Sequence, residues 1–172
     1  RVYQEAPPLP EKVVSDTGAV IVAIGEISYG QNVWQAMGGM EVGSIWGHGS
    51  YLAPDWTADW LHREATFILG RWSQEKYQKA FRELNREEQL GLEGRLQQII
   101  RTNRFEPGTQ TLTIESIRAD AFQDNVKYFS SVFANGNTAY AIPKGALSDP
   151  RKLNALCSFF FWTSWAASTN RP

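Results

Sequence analysis

The sequence predicts a mainly α-helical domain with a small β ribbon. Apolar residues recur at helical spacing in several long segments, whereas short β-branched runs occur in two places, at 19–23 and 111–114. A chain of 172 residues is about the length of one domain and is long enough to bury a substantial core. We therefore interpret residues 1–172 as a single domain.

The first part of the chain predicts an extended segment, a strand and a helix, in that order. Residues 1–17 are proline-rich and show no periodicity, so we expect them to be extended. The run 19–23 predicts a strand. Ser28 and Gln31 have the spacing of a capping box, which predicts that a helix begins there and ends at Gly38.

The middle of the chain predicts a structured loop followed by charged helices. Residues 43–55 combine glycine with aromatic residues but lack the Gly-Lys-Ser/Thr ending of a phosphate-binding loop. Thr57 is then expected to cap one helix and Ser73 to begin another. Asn85 and Glu88 form a capping box for a third helix. Basic residues alternate with Glu along these helices, which indicates solvated faces.

The last third of the chain predicts a strand and two further helices. Residues 111–114 alternate in the way that is typical of a half-buried strand. Ser116 is expected to begin a helix that closes at Gly136, where glycine permits a C-terminal cap. Residues 140–147 are expected to form a loop, and Ser148 to cap the final helix.

Composition excludes several classes of function. The 17 basic and 18 acidic residues nearly cancel, so no net field favours nucleic acid or an anionic membrane surface. Cys157 is the only cysteine, which excludes a disulfide within the chain and a cysteine-based metal site, and we expect a buried thiol. The longest apolar run, 155–167, is too short to cross a bilayer, so we expect the chain itself to be soluble.

The polar residues form no recognisable catalytic or metal-binding pattern. His48 and His62, the only histidines, lack the spacing of a metal pair, and no GxSxG motif is present. His48 lies between two glycines, so it either contacts a partner across a domain boundary or has a local role. Asp55, Asp59 and Glu64 form a possible carboxylate cluster. We favour the simpler alternative, in which the two Asp side chains offset a helix dipole.

The segment 30–56 resembles the haem-attachment segment of a c-type cytochrome, with the haem-binding residues replaced. The cytochrome c subunit of bacterial nitric oxide reductases has a Trp, a CxxCH motif and a G-x-G-x-Y-x-A-P-acidic run. Counting from Trp34, the two cysteines fall on Gly39 and Val42, and the histidine falls on Gly43. The later run matches without a gap at Gly47, Gly49, Tyr51, Ala53, Pro54 and Asp55.

A second segment supports this resemblance. In such cytochromes the distal haem ligand is a Met in a Met-Pro turn before the last helix, and here Ile142 precedes Pro143. The resemblance therefore implies a cytochrome c-like core without haem. It covers the charged middle of the chain poorly, so 73–104 is expected to be a helical insertion.

The loss of a haem would leave a void, and a void is costly. We expect bulky residues such as Met40, Trp46 and Ile142 to fill it. The high aromatic content, with seven Trp, six Tyr and nine Phe, fits this interpretation or simply a large aromatic core.

More narrowly, the chain is similar to the extracytoplasmic domain of quinol-dependent nitric oxide reductase. This resemblance implies a domain without catalytic residues that caps the haem-bearing transmembrane catalytic part of the same protein, on the periplasmic side of the bacterial inner membrane. The whole protein would reduce two NO to N2O and water with electrons from a quinol. The resemblance implies no cofactor in this chain, and haem b, non-haem iron and calcium in the whole protein.

The resemblance also implies specific contacts. Gly49 and Tyr51 correspond to residues that help to bind calcium, and they would do so only together with the catalytic part. The alternative for these two residues is a glycine turn with a packed Tyr. His48, Tyr51 and Trp56 are expected to lie at the interface with the catalytic part.

A different class of function stays open at this point. The chain would then be a free-standing module that binds an apolar, quinone-like ligand in the former haem pocket, lined by Trp46, Tyr51 and Trp56. A continuous cavity of several hundred Å³ beside residues 39–46 would favour this module. A third possibility is a domain that still carries haem non-covalently, held by His48 alone; the missing second ligand speaks against it.

Overall fold

The computed structural model describes residues 6–48 and 54–170, and this part of the chain is mainly α-helical. Its five α-helices are α1 (Glu26–Ala36), α2 (Trp56–Tyr77), α3 (Arg86–Arg101), α4 (Ser116–Asn135) and α5 (Pro150–Ser168). Its four strands are β1 (Lys12–Ser15), β2 (Val20–Val22), β3 (Phe105–Glu106) and β4 (Thr111–Ile114). Helices with one small sheet confirm the predicted fold class.

The strands form one mixed sheet in the order β2-β1-β4-β3. β1 pairs antiparallel with β2 and parallel with β4, and β3 pairs antiparallel with β4. Both strands that the sequence predicts, β2 and β4, are present. The sheet is larger than the predicted ribbon because β1 lies within the segment expected only to be extended, and β3 has two residues, too few for a periodic pattern.

α5 lies at the centre of the main core and contacts α1, α2 and α4. Gly30 allows α1 to cross α5 closely, since a Cβ at this position would lie 1.9 Å from the carbonyl oxygen of Ala155. Cys157 on α5 is buried, as expected. Within the described ranges, no helix combines the length and the hydropathy needed to span a membrane.

The main core is rich in aromatic residues, as the composition predicts. Its largest fully buried aromatic side chains are Trp56, Trp60, Trp165, Phe122, Phe129, Phe133, Phe160 and Phe161. A smaller core lies between α2, α3 and α4, and it buries Ile68, Trp72, Leu84, Leu92 and Ala121. The charged segment 73–104 therefore packs through α3 against the outer face of α2.

Several helix boundaries confirm the predictions. Asn85 and Glu88 form the capping box at the start of α3, where the Asn85 side chain accepts a hydrogen bond from the Glu88 N–H at 2.9 Å. α4 begins at Ser116 and ends at Asn135, with Gly136 as its C-terminal cap. These capping signals involve residues that are close together in the sequence, so they can be recognised without knowledge of the fold.

Other boundaries differ from the predictions. α1 begins two residues before Ser28 and is capped by Gly25 at φ 78°, so the predicted capping box is wrong. α2 is capped by Asp55, whose side chain accepts a hydrogen bond from the Ala58 N–H, instead of by Thr57. α5 is likewise capped by Asp149 instead of the adjacent Ser148.

Ser73 does not begin a helix. It is fully buried within α2, which continues to Tyr77, and its hydroxyl donates a hydrogen bond to the Lys79 carbonyl at 2.7 Å. This contact ties the end of α2 to the turn that follows. The serine therefore helps to end a helix, and the predicted start at this position is wrong.

Candidate functional site

The segment that resembles a haem-attachment site follows α1 directly. A single turn of 3-10 helix at Gly39–Glu41 continues the chain, preceded by Gly38 at φ 117°. Gly39 is buried and Val42 is partly buried beside the main core. The two residues at the positions of the expected cysteines, Gly39 and Val42, therefore pack against the main core.

Gly43, at the position of the expected histidine, lies against the side chain of Trp56. A Cβ at residue 43 would lie 2.0 Å from Trp56 Nε1 and 2.5 Å from Cε2. The φ of Gly43 lies outside the left-handed region, so close approach explains the glycine better than backbone conformation does. The indole of Trp56 therefore occupies the space that a side chain at position 43 would need.

Trp56 is a core residue, which contradicts its expected place at an interface. It begins α2 with no exposed surface, and it stacks on Phe160 at 5.4 Å between ring centroids. Phe133 lies at 5.3 Å, and Tyr140 packs edge-on at 5.6 Å. The residue is buried because the first turn of α2 packs between α4 and α5.

Of the three residues expected to fill a haem void, only Ile142 is buried. It forms an antiparallel bridge with Asn137 in the turn after α4. Met40 and Trp46 are 50% and 42% exposed, so this expectation is wrong for both. The aromatic side chains around Trp56 fill the interior beside Gly43 instead.

Trp46 is displayed at a tight two-residue turn. Ile45 and His48 exchange backbone hydrogen bonds of 3.2 and 3.0 Å, and the residues between them, Trp46 and Gly47, have φ of 55° and 73°. Two consecutive left-handed residues are the pattern of a type I′ turn. A left-handed conformation is strained for a bulky residue such as Trp, so the surrounding contacts must hold it.

Three contacts hold Trp46 in this conformation. Its indole N–H donates to the carbonyl oxygen of Thr163 at 2.7 Å, and its backbone N–H donates to Thr57 Oγ1 at 3.2 Å. Its ring packs at 5.6 Å from that of Trp162. The turn is therefore fixed to the start of α2 and the end of α5, with the adjacent His48 exposed to solvent.

Asp55 connects this turn to α2. Its carboxylate caps α2 and also accepts hydrogen bonds from the Gly47 N–H and the Ser44 hydroxyl. Ser44 and Asp55 face each other in a parallel bridge. Asp55, the acidic residue at the end of the G-x-G-x-Y-x-A-P-acidic run, therefore has a structural role among the described residues.

The calcium expectation falls outside the described residues. Gly49 and Tyr51 both lie in the range 49–53, which the structure does not describe. Within 6–48 and 54–170, no group of three or more His, Cys, Asp or Glu side chains is placed to hold a metal ion. Calcium binding by Gly49 and Tyr51 therefore stays a prediction.

The three carboxylates considered as a cluster have separate partners. Asp55 caps α2, whereas Glu64 is buried with Arg118 of α4. Glu64 Oε1 lies 2.6 Å from Arg118 Nε, and the two side chains are 1% and 2% exposed. This ion pair joins α2 to α4, and no sequence pattern reveals it because its members are 54 residues apart.

Asp59 belongs to a polar network with Arg63, Tyr128 and Tyr140, which the sequence also did not reveal. The Tyr140 hydroxyl donates to Asp59 at 2.9 Å, and Arg63 donates to the Tyr140 hydroxyl at 3.2 Å. The Arg63 guanidinium lies 3.3 Å from the centre of the Tyr128 ring. Burial, together with the hydrogen bond between Tyr140 and Tyr128, raises the pKa of Tyr140 well above its ordinary value of 10.0.

An open groove of about 470 Å³ adjoins the Trp46 turn. Its walls come from the N-terminal segment, the turn, α2 and α5, and it is lined by Pro7, Trp46, Gly47, Asp55, Thr57, Ala58, Leu61, Ala166 and Ala167. Trp56 does not line it, because that side chain points into the core. The groove is open to the surface, and Trp46 is the one described residue of the expected ligand pocket that lines it.

A comparison with protein families matches the chain over nearly its full length. The family of the cytochrome c-like domain of the nitric oxide reductase protein NorB covers residues 10–172, including the segment 73–104. A comparison with curated proteins gives no match. The family match agrees with the helices around a small sheet and with the resemblance of the segment 30–56. The chain therefore belongs to the NorB cytochrome c-like domain family of nitric oxide reductase.

Proposed function

We propose that the chain is a haem-free, non-catalytic domain of a membrane-bound, quinol-dependent nitric oxide reductase. It would lie on the periplasmic side of the bacterial inner membrane and cap the haem-bearing catalytic part of the same protein. The whole protein would reduce two NO to N2O and water with two electrons and two protons. The family match supports the association with this reductase.

The contact between Gly43 and Trp56 carries the haem-free part of the proposal. Covalent haem needs two cysteine thiols, and an axial histidine and a distal ligand hold the iron. Gly39, Val42 and Ile142 lack the required atoms, and an imidazole at position 43 would overlap the Trp56 indole. The residues present therefore do not fit a haem c.

The route of electron entry is taken from the family resemblance, which implies a quinol as the donor. A domain that holds no haem cannot relay electrons from a soluble donor through an iron centre. Electrons would then reach the catalytic part from a membrane quinol. Haem b and non-haem iron would belong to that part, and Gly49 and Tyr51 would supply calcium ligands only beside it.

Co-expression with a cytochrome c maturation system tests the proposal. We expect the intact mass of the purified chain to equal the mass calculated from its sequence, since no thiol is available at positions 39 and 42. The variant with Gly39→Cys, Val42→Cys and Gly43→His restores the CxxCH motif and is the positive control, because it supplies the two thiols that covalent attachment of haem requires. A covalent haem adduct on the unaltered chain would refute the proposal.

A further inference from the structure

The buried ion pair of Glu64 and Arg118 makes only part of the hydrogen bonds that its two charged groups can form. Arg118 Nε donates to Glu64 Oε1 at 2.6 Å. Glu64 Oε2 and Arg118 Nη2 are both buried, and neither has a hydrogen-bond partner among the described residues. A charged donor or acceptor that is buried without a partner is costly, so each such atom calls for an explanation.

The two unpartnered atoms belong to the same ion pair. Nη2 shares its guanidinium with Nε, and Oε2 shares its carboxylate with Oε1, so both atoms lie close to the 2.6 Å contact. In a bidentate pair, a second N–H···O bond would run parallel to the first. Here that second bond is not made, and one donor and one acceptor remain unsatisfied at a single place between α2 and α4.

This combination of a donor and an acceptor distinguishes the pair from the other buried polar atoms that lack a hydrogen bond in the described part of the chain. The others are all donors, namely Arg63 Nε and the indole nitrogens of Trp34, Trp56, Trp60 and Trp165. Arg63 Nε lies 3.1 Å from an Asp59 oxygen and so has an ionic partner. The indoles are neutral, whereas Glu64 and Arg118 are charged groups, for which an unmade hydrogen bond costs more.

The charges of the pair restrict the kind of molecule that can bind there. An anion would be attracted by Arg118 but repelled by Glu64, and a cation would be attracted by Glu64 but repelled by Arg118. A neutral molecule avoids both repulsions. To satisfy both atoms it must donate one hydrogen bond to Glu64 Oε2 and accept one from Arg118 Nη2.

The surroundings of the pair favour a small molecule. The side chains of Glu64 and Arg118 are 1% and 2% exposed, and Phe161 lies beneath the guanidinium at 5.8 Å. Ala121 is one turn after Arg118 on the same face of α4, and its short side chain is fully buried. Water is neutral, donates and accepts hydrogen bonds, and is the usual partner of polar atoms left unsatisfied in protein interiors.

We propose that one internal water molecule binds between Glu64 and Arg118. It donates to Glu64 Oε2 and accepts from Arg118 Nη2, so the direct contact and the water together satisfy both charged groups. A water-mediated hydrogen bond is nearly as favourable in enthalpy as a direct one. The water is thus part of the link between α2 and α4. This inference concerns the fold of the chain and holds whether or not the proposed function is correct.

A crystal structure of the chain at high resolution tests the proposal directly. We expect density for one water molecule at about 2.7–3.2 Å from both Glu64 Oε2 and Arg118 Nη2. A direct bond between these two atoms would overturn the proposal, because the pair would then be bidentate without water. An absence of density beside them would also overturn it. So would an anomalous signal at this position after a bromide soak, which would identify an anion site.

The relaxation dispersion of water nuclei tests the same proposal in solution, since it counts internal waters that exchange slowly with the bulk. Glu64→Leu combined with Arg118→Met removes both polar partners and should lower this count by one per chain. The matched control makes the same substitutions at an exposed ion pair, Glu93→Leu with Arg86→Met, and should leave the count unchanged. An unchanged count in the buried double variant would contradict the proposal. If that variant does not fold, the crystal structure of the unaltered chain decides.

Discussion

The side chain of Trp56 lies where the side chain of residue 43 would extend, and only a glycine at that position leaves room for it. A Cβ on Gly43 would approach Trp56 Nε1 to 2.0 Å. The resemblance to c-type cytochromes implies that this is the position of the haem-ligand histidine. Gly43 thus lacks a side chain that could bind haem iron, and the buried Trp56 side chain fills the space beside it.

Gly43→Ala should destabilise the protein because the added methyl group would displace Trp56. We expect the free energy of unfolding to fall by about 1–3 kcal/mol, the usual cost of overpacking a core. Gly70→Ala is the control, since a Cβ at Gly70 meets no atom within 4 Å, and helix propensity should raise stability there by about 0.5–1 kcal/mol. Urea unfolding measures both. If Gly43→Ala is as stable as the unaltered chain, Trp56 moves aside freely and the account of the closed core is wrong.

Removal of one member of the ion pair of Glu64 and Arg118 should destabilise the protein strongly, whereas replacement of both by apolar residues should change its stability little. Glu64→Gln leaves the Arg118 guanidinium buried without a counter-charge and should cost about 3–5 kcal/mol, whereas Glu64→Leu combined with Arg118→Met should be close to neutral. As a control, Arg86→Ala removes an ion pair whose side chains are 66% and 40% exposed and should cost about 0–1 kcal/mol. Chemical denaturation would contradict this account if the single and double variants lost equal stability.

Tyr140 should make the protein less stable at alkaline pH. Burial raises its pKa above the ordinary value of 10.0, so the folded state keeps a proton that the unfolded state releases. The contribution of Tyr140 to the free energy of unfolding is complete below pH 10.0. It is lost as the pH rises toward the higher pKa of Tyr140 in the folded state. Melting temperatures of the unaltered chain and of Tyr140→Phe should therefore diverge below pH 10 and converge above it. The comparison is best made in a Cys157→Ala background, because burial also raises the pKa of that thiol.

The proposed calcium contact predicts a difference between the chain and the whole reductase. Tyr51→Phe removes the hydroxyl proposed to help to bind calcium beside the catalytic part, so it should lower the NO-reducing activity of the reductase. The melting temperature of the chain alone should hardly change. Equal damage to both would identify Tyr51 as a packing residue instead.

Local signals in the sequence predicted the helices better than their boundaries. The capping box of Asn85 and Glu88 is contained within four residues and was correct. At the start of α2, Asp55 and Thr57 are both good capping residues, and only the fold decides between them. Ser73 was misassigned because its hydroxyl bonds a turn that forms only after α2 has ended.

The assignment of Gly39, Val42, Gly43 and Ile142 to haem-binding positions rests on the resemblance and stays a prediction. The directions of the side chains around these positions could not be predicted from the sequence. The burial of Trp56 and the exposure of Trp46 both depend on contacts with α5, more than 100 residues away. The ion pair of Glu64 and Arg118 is equally non-local.

The iron-porphyrin content of the purified chain tests the central claim most directly. The chain would be produced in cells with ample haem, and its visible spectrum recorded together with its protein concentration. A core closed by Trp56 around Gly43 predicts no Soret absorbance. A Soret band at one porphyrin per chain would contradict the account.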